Sequence, residues 1–298
     1  VRESTTTRLA TLALLGMAAM WGSTFYLIKD LSDRISALDF LAVRFPIATV
    51  ALVLLFPRAL GRLSSQSRRQ AVVLGVLYAG AQVAQTVGLA HTAASVSGFI
   101  TGLYVVCTPL LAALLLRSRI GRLTWLAVAM AIVGITVLTL QPSGLAFGYG
   151  EGLTLLSAVI YALHIVGLGA WSRRDEAMGM AIVQLAVISV VCFVGAAPNG
   201  ITIPDNGGDW ISIVYMAVGA GALAMAGQTW AQAHLTPTRS AIVMSMEPVF
   251  AAFFAVLAGG EDLTARLLTG GLLVFGAMLV VELMPRRKIE GEVTHIAV

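Results

Sequence analysis

Residues 70–116 read QAVVLGVLYAGAQVAQTVGLAHTAASVSGFITGLYVVCTPLLAALLL, 47 positions without one Asp, Glu, Lys or Arg. A soluble domain carries about 25% charged residues, and a soluble stretch of this length needs some of them to face water. The whole chain of 298 residues shares the bias, with 58% hydrophobic and 11% charged residues. That composition belongs in a lipid bilayer.

A helix crosses about 30 Å of hydrocarbon with roughly 20 residues. Cutting the chain at its charges, prolines and glycines gives ten such segments, near 9–29, 37–57, 70–90, 94–116, 123–141, 151–171, 177–197, 209–230, 239–258 and 266–283. The expected fold is all-α, a polytopic membrane protein with ten transmembrane helices. Membrane-spanning strands are excluded, because the runs are too long and do not alternate. The first apolar run continues through Trp21 to Ile28. It exceeds the roughly 7–15 residues of a signal-peptide core and reads as a retained first span. Cys107 and Cys192 lie in apolar runs and read as small core residues with no disulfide framework.

The connections set an orientation. Arg2, Arg8, Arg58, Arg62, Arg68, Arg69, Arg117, Arg119, Arg122, Arg173, Arg174, Arg239, Arg286, Arg287 and Lys288 fall on one side, 15 of the 19 basic residues. The other side has Lys29, Arg34 and Arg266, and Arg44 lies within the second span. Positive charge favours the cytoplasm, so both termini are expected there, in a bacterial inner membrane. The basic balance then reflects topology, and no nucleic-acid partner is expected.

The opening stretch contains QTVGLAHT (85–92), and QTWAQAHL recurs at 228–235, 143 residues later. Further pairs follow in the same order. VVCTPLLAALLL in span 4 matches SMEPVFAAFFAV in span 9, and RLTWLAVAMAIVGITVL in span 5 matches DLTARLLTGGLLVFGAMLVV in span 10. AAMWGSTFYLIK in span 1 has its counterpart in SAVIYALHIVGLG of span 6. The chain thus divides into 1–142 and 143–298, five spans each. Five is odd, so the second copy enters the membrane inverted. Inverted repeats are a transporter signature, with the substrate site near the midplane at the repeat interface. His91 and His234 then fall at opposite faces, share no site and read as structural.

The residues also resemble a known family. AMWGSTFYLIK and LAVRFPIA in spans 1–2, SVSGFITGLYVVCTPLLAALLL in span 4 and SAIVMSMEPVFAAFFAVLAGGEDLTARLLTGGLLVFGAMLVV in spans 9–10 resemble the EamA-type branch of the drug/metabolite transporter superfamily. The likeness spans essentially the whole chain, and its finer pattern is similar to bacterial amino-acid exporters of the YddG type. It implies ten helices, cytoplasmic termini, alternating access and export of small metabolites.

Polar residues within spans point to the bundle interior or a water-filled cavity. Tyr78, Gln82 and Gln85 recur at i, i+4 and i+7 on one face of span 3. Gly80, Ala84 and Gly88 form a separate small-residue stripe there. In span 4, Ser97, Thr101, Tyr104 and Thr108 share a face, with Gly98 and Gly102 on another. Thr154, Ser157, Tyr161 and His164 form a third polar stripe in span 6. Trp21 and Thr24 share a face in span 1, Gln228 and Gln232 in span 8, and Ser240, Met244 and Glu247 in span 9. Candidate substrate-binding residues are Trp21, Tyr78, Gln82, Gln85, Thr101, Tyr104, Tyr161, His164 and Gln228. Packing between helices is the rival role for each.

These faces hold no Lys or Arg. Phosphorylated substrates call for fixed cations or Arg forks, so the lining suits a neutral or zwitterionic solute, an amino acid with a large apolar or aromatic side chain above all. Glu247, about eight residues and so about 12 Å into span 9, and Arg44 are the buried ionisable residues, candidates for coupling or gating. They are free to pair with each other or with backbone groups. Pro109 and Pro248 fall mid-span at matching places and are candidate hinges. The chain holds no HExxH and no Cys/His metal spacing, so no enzyme activity, metal or cofactor is expected. FGYGEG at 147–152 joins two spans and does not read as a nucleotide loop. The expected partners are a small-molecule substrate and the bilayer, with function as a monomer. A passive facilitator or channel of the same fold stays open.

Overall fold

A computed structural model describes residues 5–115, 121–141, 144–145, 147–173, 175–225, 227–228, 231 and 243–283. In chain order they form α1 (Thr5–Leu31), α2 (Ala37–Leu55), α3 (Ser65–Ala90), α4 (Ala94–Gly102), α5 (Tyr104–Leu115), α6 (Arg122–Thr139), α7 (Tyr149–Trp171), α8 (Ala177–Ala196), α9 (Gly207–Val214), α10 (Glu247–Leu257) and α11 (Ala265–Glu282). With α4 and α5 taken as one span, eight helices among the described residues are long and apolar enough to cross a membrane. The shorter apolar helices Gly207–Leu223 and Glu247–Leu257 stand at the eighth and ninth expected spans. The fold is the all-α polytopic one that the composition requires. A two-residue antiparallel ladder, β1 (Leu140–Gln141) with β2 (Gly144–Leu145), turns the chain between α6 and α7. Gln232, His234 and Ser240 lie outside the described residues, as do Arg2, Arg117, Arg119, Arg174, Arg239, Arg286, Arg287 and Lys288.

Helix starts follow local chemistry. Ser36, Ser64, Asn206 and Thr264 precede α2, α3, α9 and α11, and each side chain accepts a hydrogen bond from a backbone N–H in the first turn. Such caps satisfy donors that a helix leaves unpaired. The outward faces are apolar: Leu54 is 75% exposed, Ile211 73% and Leu272 67%. Water would penalise such a surface, whereas lipid tails match it.

Inside the bundle, α3 lies along α7, α6 along α11, α2 along α8 and α1 along α10. Contacts of α3 with α8, α4 with α10, and α5 with α7 close the structure. Close approach depends on glycine at particular points. A Cβ on Gly88 of α3 would sit 2.6 Å from Thr154 Oγ1 and 2.8 Å from the Gly150 carbonyl oxygen of α7. Gly134 of α6 and Gly270 of α11 stand in the same relation, each Cβ falling 3.0 and 2.9 Å from the other's carbonyl oxygen. Small residues let membrane helices meet backbone to backbone. Gly80, expected on the same stripe as Gly88, has no neighbour within 4 Å of such a Cβ. Eight residues at 3.6 per turn drift by roughly 80°, enough to carry Gly80 off the α7 seam.

Two spans are interrupted, though not as the prolines suggested. Pro109 lies inside α5, while the break in its span falls six residues earlier, at Leu103 after Gly102. Pro248 lies in the first turn of α10, directly after a turn at Ser245–Met246. A first-turn proline removes no helical hydrogen bond, so Pro248 starts a helix where a mid-span kink was expected. Glu247 likewise opens α10, at the helix end where a negative charge is favoured.

The eighth span holds a feature with no forewarning in the sequence. Residues Tyr215–Leu223 wind as a π-helix of nine residues, a form that is rare and mostly confined to single turns near functional sites. It packs on α2 and α1. Across the loop after α1, Arg34 donates from Nε and Nη2 to both carboxylate oxygens of Asp209, at 3.1 and 2.8 Å, and from Nη2 to Asp30 at 2.5 Å. This fork ties the end of the first span to the start of α9.

Candidate functional site

Six of the nine candidate binding residues meet in one buried network built from α3, α4 and α7. Gln82 Nε2 donates to the Tyr78 hydroxyl at 3.2 Å, one turn apart on α3. The Tyr78 ring lies 6.0 Å from that of Tyr161 and 5.4 Å from that of His164, both on α7. The Tyr161 hydroxyl donates to Gln85 Oε1 at 2.8 Å, and Gln85 Nε2 donates to Thr101 Oγ1 at 3.2 Å. The α3 face predicted from i, i+4, i+7 spacing thus meets the polar stripes of α4 and α7. Ser97, one turn before Thr101 on α4, is fully buried and its hydroxyl has no hydrogen-bond partner. A buried polar group left unpaired is uncommon.

His164 brings in a residue the sequence reading passed over. Gln184 Nε2 donates to the Met180 carbonyl at 3.1 Å, which turns Oε1 toward His164 Nε2 at 2.6 Å. A carbonyl oxygen only accepts, so the proton of this contact sits on His164 Nε2. The signal was present: Gln184 is the lone amide in the apolar α8, and intramembrane polar residues face the bundle interior.

Charge flanks the network on two sides. Arg44 is buried, 8% exposed, with its guanidinium 5.7 Å from the Phe40 ring centroid and 5.3 Å from that of Phe45. Phe45 in turn stands edge-on to Tyr78, with centroids 6.1 Å apart. Aromatic faces are favourable neighbours for a desolvated guanidinium. Arg44 and Glu247 stand on different helices, Glu247 at the start of α10, which packs on α4 and α1. They form no ion pair with each other. The polar faces themselves hold no Lys or Arg, and Arg44 of α2 stands beside them, brought there by α2 packing on α8 and α3.

Trp21 and Gln228 stand apart from the network. Trp21 Nε1 donates to the Ala220 carbonyl in the π-helix at 2.7 Å, and the nearby Ser23 hydroxyl pairs with that of Tyr215 at 2.9 Å. Gln228 Nε2 lies 3.5 Å from Met244 Sδ, against a small cluster of Leu14, Met17 and Ala224 that also touches Trp21. No group of three or more His, Cys, Asp or Glu able to hold a metal occurs among the described residues. A cavity lies elsewhere, at the bundle end where α3 stops and α7 begins.

A bundle of apolar helices around a polar, aromatic and partly charged centre defines a multi-pass membrane transporter. The chain belongs to the EamA-like transporter family, whose model matches residues 8–140 and again residues 148–283. It is 30% identical to an uncharacterized transporter of Archaeoglobus fulgidus, over 92% of this chain and 86% of that one. It is 26% identical to the pseudopaline exporter CntI of Pseudomonas aeruginosa, over 85% of this chain and 88% of the exporter. A solved crystal structure superposes with a TM-score of 0.63 at 19% identity, over 92% of this chain and 96% of that chain; this likeness concerns the fold alone. These relatives are transporters, not enzymes, and they do not single out amino acids or the YddG type.

Proposed function

We propose that this transporter exports small neutral or zwitterionic metabolites, amino acids with large apolar or aromatic side chains foremost, by alternating access through the Tyr78–Gln85–Tyr161 network. The observation that carries this reading is the network of Tyr78, Gln82, Gln85, Thr101, Tyr161 and His164, with Arg44 beside it against Phe45 and not paired with Glu247. A zwitterion offers a carboxylate for the one and an ammonium group for the other. The rings of Tyr78, Tyr161 and His164 suit an aromatic side chain by stacking, and the Gln85 amide and Ser97 hydroxyl supply hydrogen bonds. One buried arginine is a weak holder for a phosphate ester, which favours several cationic donors. The pseudopaline exporter among the relatives agrees with outward transport.

Residues 1–142 and 143–298 are read as two five-helix repeats, the second inverted. Helix pairing supports this. Exchanging each span for the one five positions on carries α2·α8 and α6·α11 onto themselves, α5·α7 onto α1·α10, and α3·α8 onto α2 with the π-helix, and every one of these pairs is in contact. In a bacterial inner membrane the arginine-rich connections put both termini in the cytoplasm. The breaks at Leu103, six residues before Pro109, and at Ser245–Met246, beside Pro248, then serve as hinges on opposite sides, with the monomer as the working unit. Glu247 is the proton-coupling or gating group in this scheme.

The test is a proteoliposome counterflow screen across the twenty amino acids, with nucleosides, polyamines and sugar phosphates as controls. Saturable counterflow of aromatic or large apolar amino acids is the expected result. Movement of phosphate esters without any amino acid would overturn the reading.

A further inference from the structure

The cavity at the bundle end opposite Thr5 and Glu282 has a volume of about 350 Å³ and is lined in part by Lys29, His91, Thr92, Leu138, Glu151 and Arg266. Two helices end beside it, α3 at Ala90 and α6 at Thr139, and each final carbonyl region meets a cation. Lys29 Nζ donates to the Ala90 carbonyl at 2.8 Å, and Arg266 Nη1 donates to the Leu140 carbonyl at 2.6 Å. Cations at helix C-termini are favourable in their own right. That duty occupies one donor of each, leaving two on the ammonium and four on the guanidinium.

The lining has one carboxylate, Glu151, and it is engaged otherwise. Its Oε1 accepts from the Thr92 hydroxyl at 2.5 Å and its Oε2 from the Gly148 N–H at 2.9 Å, and it makes no ion pair with Lys29 or Arg266. The sequence adds an independent point. Of the 19 basic residues, the sequence assigns three to this end: Lys29, Arg34 and Arg266. Arg34 is consumed by Asp30 and Asp209. The remaining two line one cavity, although nothing about topology requires them to converge.

We propose that this cavity is a second small-solute site, which takes a carboxylate between Lys29 and Arg266 and an apolar group against Val96 and Leu138. Cations without carboxylate partners in a concave, partly apolar wall raise the local concentration of anions, and a guanidinium beside an ammonium supplies the donors a carboxylate needs. An ammonium on the same solute meets the spare lone pairs of Glu151. The cavity's part as the mouth of the transport path rests on the export reading above; its binding of carboxylates does not.

The full chain in lipid nanodiscs is titrated with 3-phenylpropionate, and phenethylamine serves as the cationic counterpart. The carboxylate binds and the amine does not. Joint Lys29→Gln and Arg266→Gln substitution weakens 3-phenylpropionate binding tenfold or more, while Lys29→Arg restores most of the Lys29 share. Binding left unchanged in the double variant, or equal binding of the amine, overturns the proposal. Because Lys29 also caps α3, the Arg266→Gln single variant, at an exposed position, is titrated in parallel and weakens binding several-fold; an unaltered affinity there counts against the site even where the double variant fails to fold. A transporter that moves no amino acid yet binds 3-phenylpropionate through these two residues separates this site from the export reading.

Discussion

The Tyr161 hydroxyl donates to Gln85 Oε1 at 2.8 Å, joining α7 to α3 across 76 residues of chain. This bond fixes the amide of Gln85 so that its nitrogen faces Thr101. A single phenol thereby orients three helices around the centre of the bundle.

Tyr161→Phe keeps the ring and removes the donor. Leaving a buried acceptor unpaired costs about 1–3 kcal/mol, so thermal stability falls modestly, and KM in counterflow rises several-fold. Tyr161→Ala also removes the ring beside Tyr78 and lowers transport tenfold or more. Wild-type kinetics in both variants would take the network out of the substrate path.

Glu247→Gln keeps the size of the side chain while removing the charge. If Glu247 couples protons, counterflow measured from pH 5.5 to 8.5 loses its pH dependence in this variant. A profile that tracks the wild type assigns Glu247 a fixed structural contact.

Gly88→Ala and Gly80→Ala form a matched pair on one helix. The first places a Cβ 2.6 Å from Thr154 Oγ1 and 2.8 Å from the Gly150 carbonyl, and the second meets nothing within 4 Å. Overpacking of that kind costs about 1–3 kcal/mol. A lowered unfolding temperature for Gly88→Ala, with Gly80→Ala at or above the wild type, is the expected outcome of thermal unfolding in detergent.

Outside the membrane, Glu176 ties the start of α8 to the start of α3. Its Oε1 accepts from the Ser64 N–H at 2.8 Å and its Oε2 from the Ser67 hydroxyl at 2.5 Å. These bonds, the Ser67 hydroxyl foremost, hold the carboxyl below the usual glutamate range. A folded-state value below the unfolded one means stability that is present above about pH 4.3 and lost as pH falls through the lowered value. Thermal unfolding from pH 7 to pH 3 shows it: the difference between wild type and Glu176→Gln narrows on the acid side. A constant difference at all pH values would falsify this assignment.

Which face of a helix is polar was legible in the sequence, and which helix that face meets was not. The spacing of Tyr78, Gln82 and Gln85 defines a stripe on α3 without any partner. That Gln85 lies between Thr101 and Tyr161 depends on how α4 and α7 pack, and the backbone contact at Gly88 and Gly150 helps set this. Trp21 shows the limit from the other side. The spacing puts it on one face with Thr24, but the indole N–H finds a carbonyl of the π-helix, and no pattern in YMAVGAGAL announces that winding. Arg44 was visible as a buried charge. Its place between Phe40 and Phe45, both on its own helix, was within reach of i, i+4 and i+1 spacing, whereas its nearness to Tyr78 required the packed bundle.

The π-helix at Tyr215–Leu223 has a bearing on the energetics of the transport cycle. Each of its hydrogen bonds closes one residue later than in an α-helix, so residues beyond it fall out of phase with the third span. Gln228 matches Gln85 in the sequence and yet touches Met244, not the network. Two inverted halves identical in both sequence and winding would give an inward-open and an outward-open state of equal free energy. Under the inverted-repeat reading proposed above, winding one half differently is one structural source of unequal free energy between the two openings.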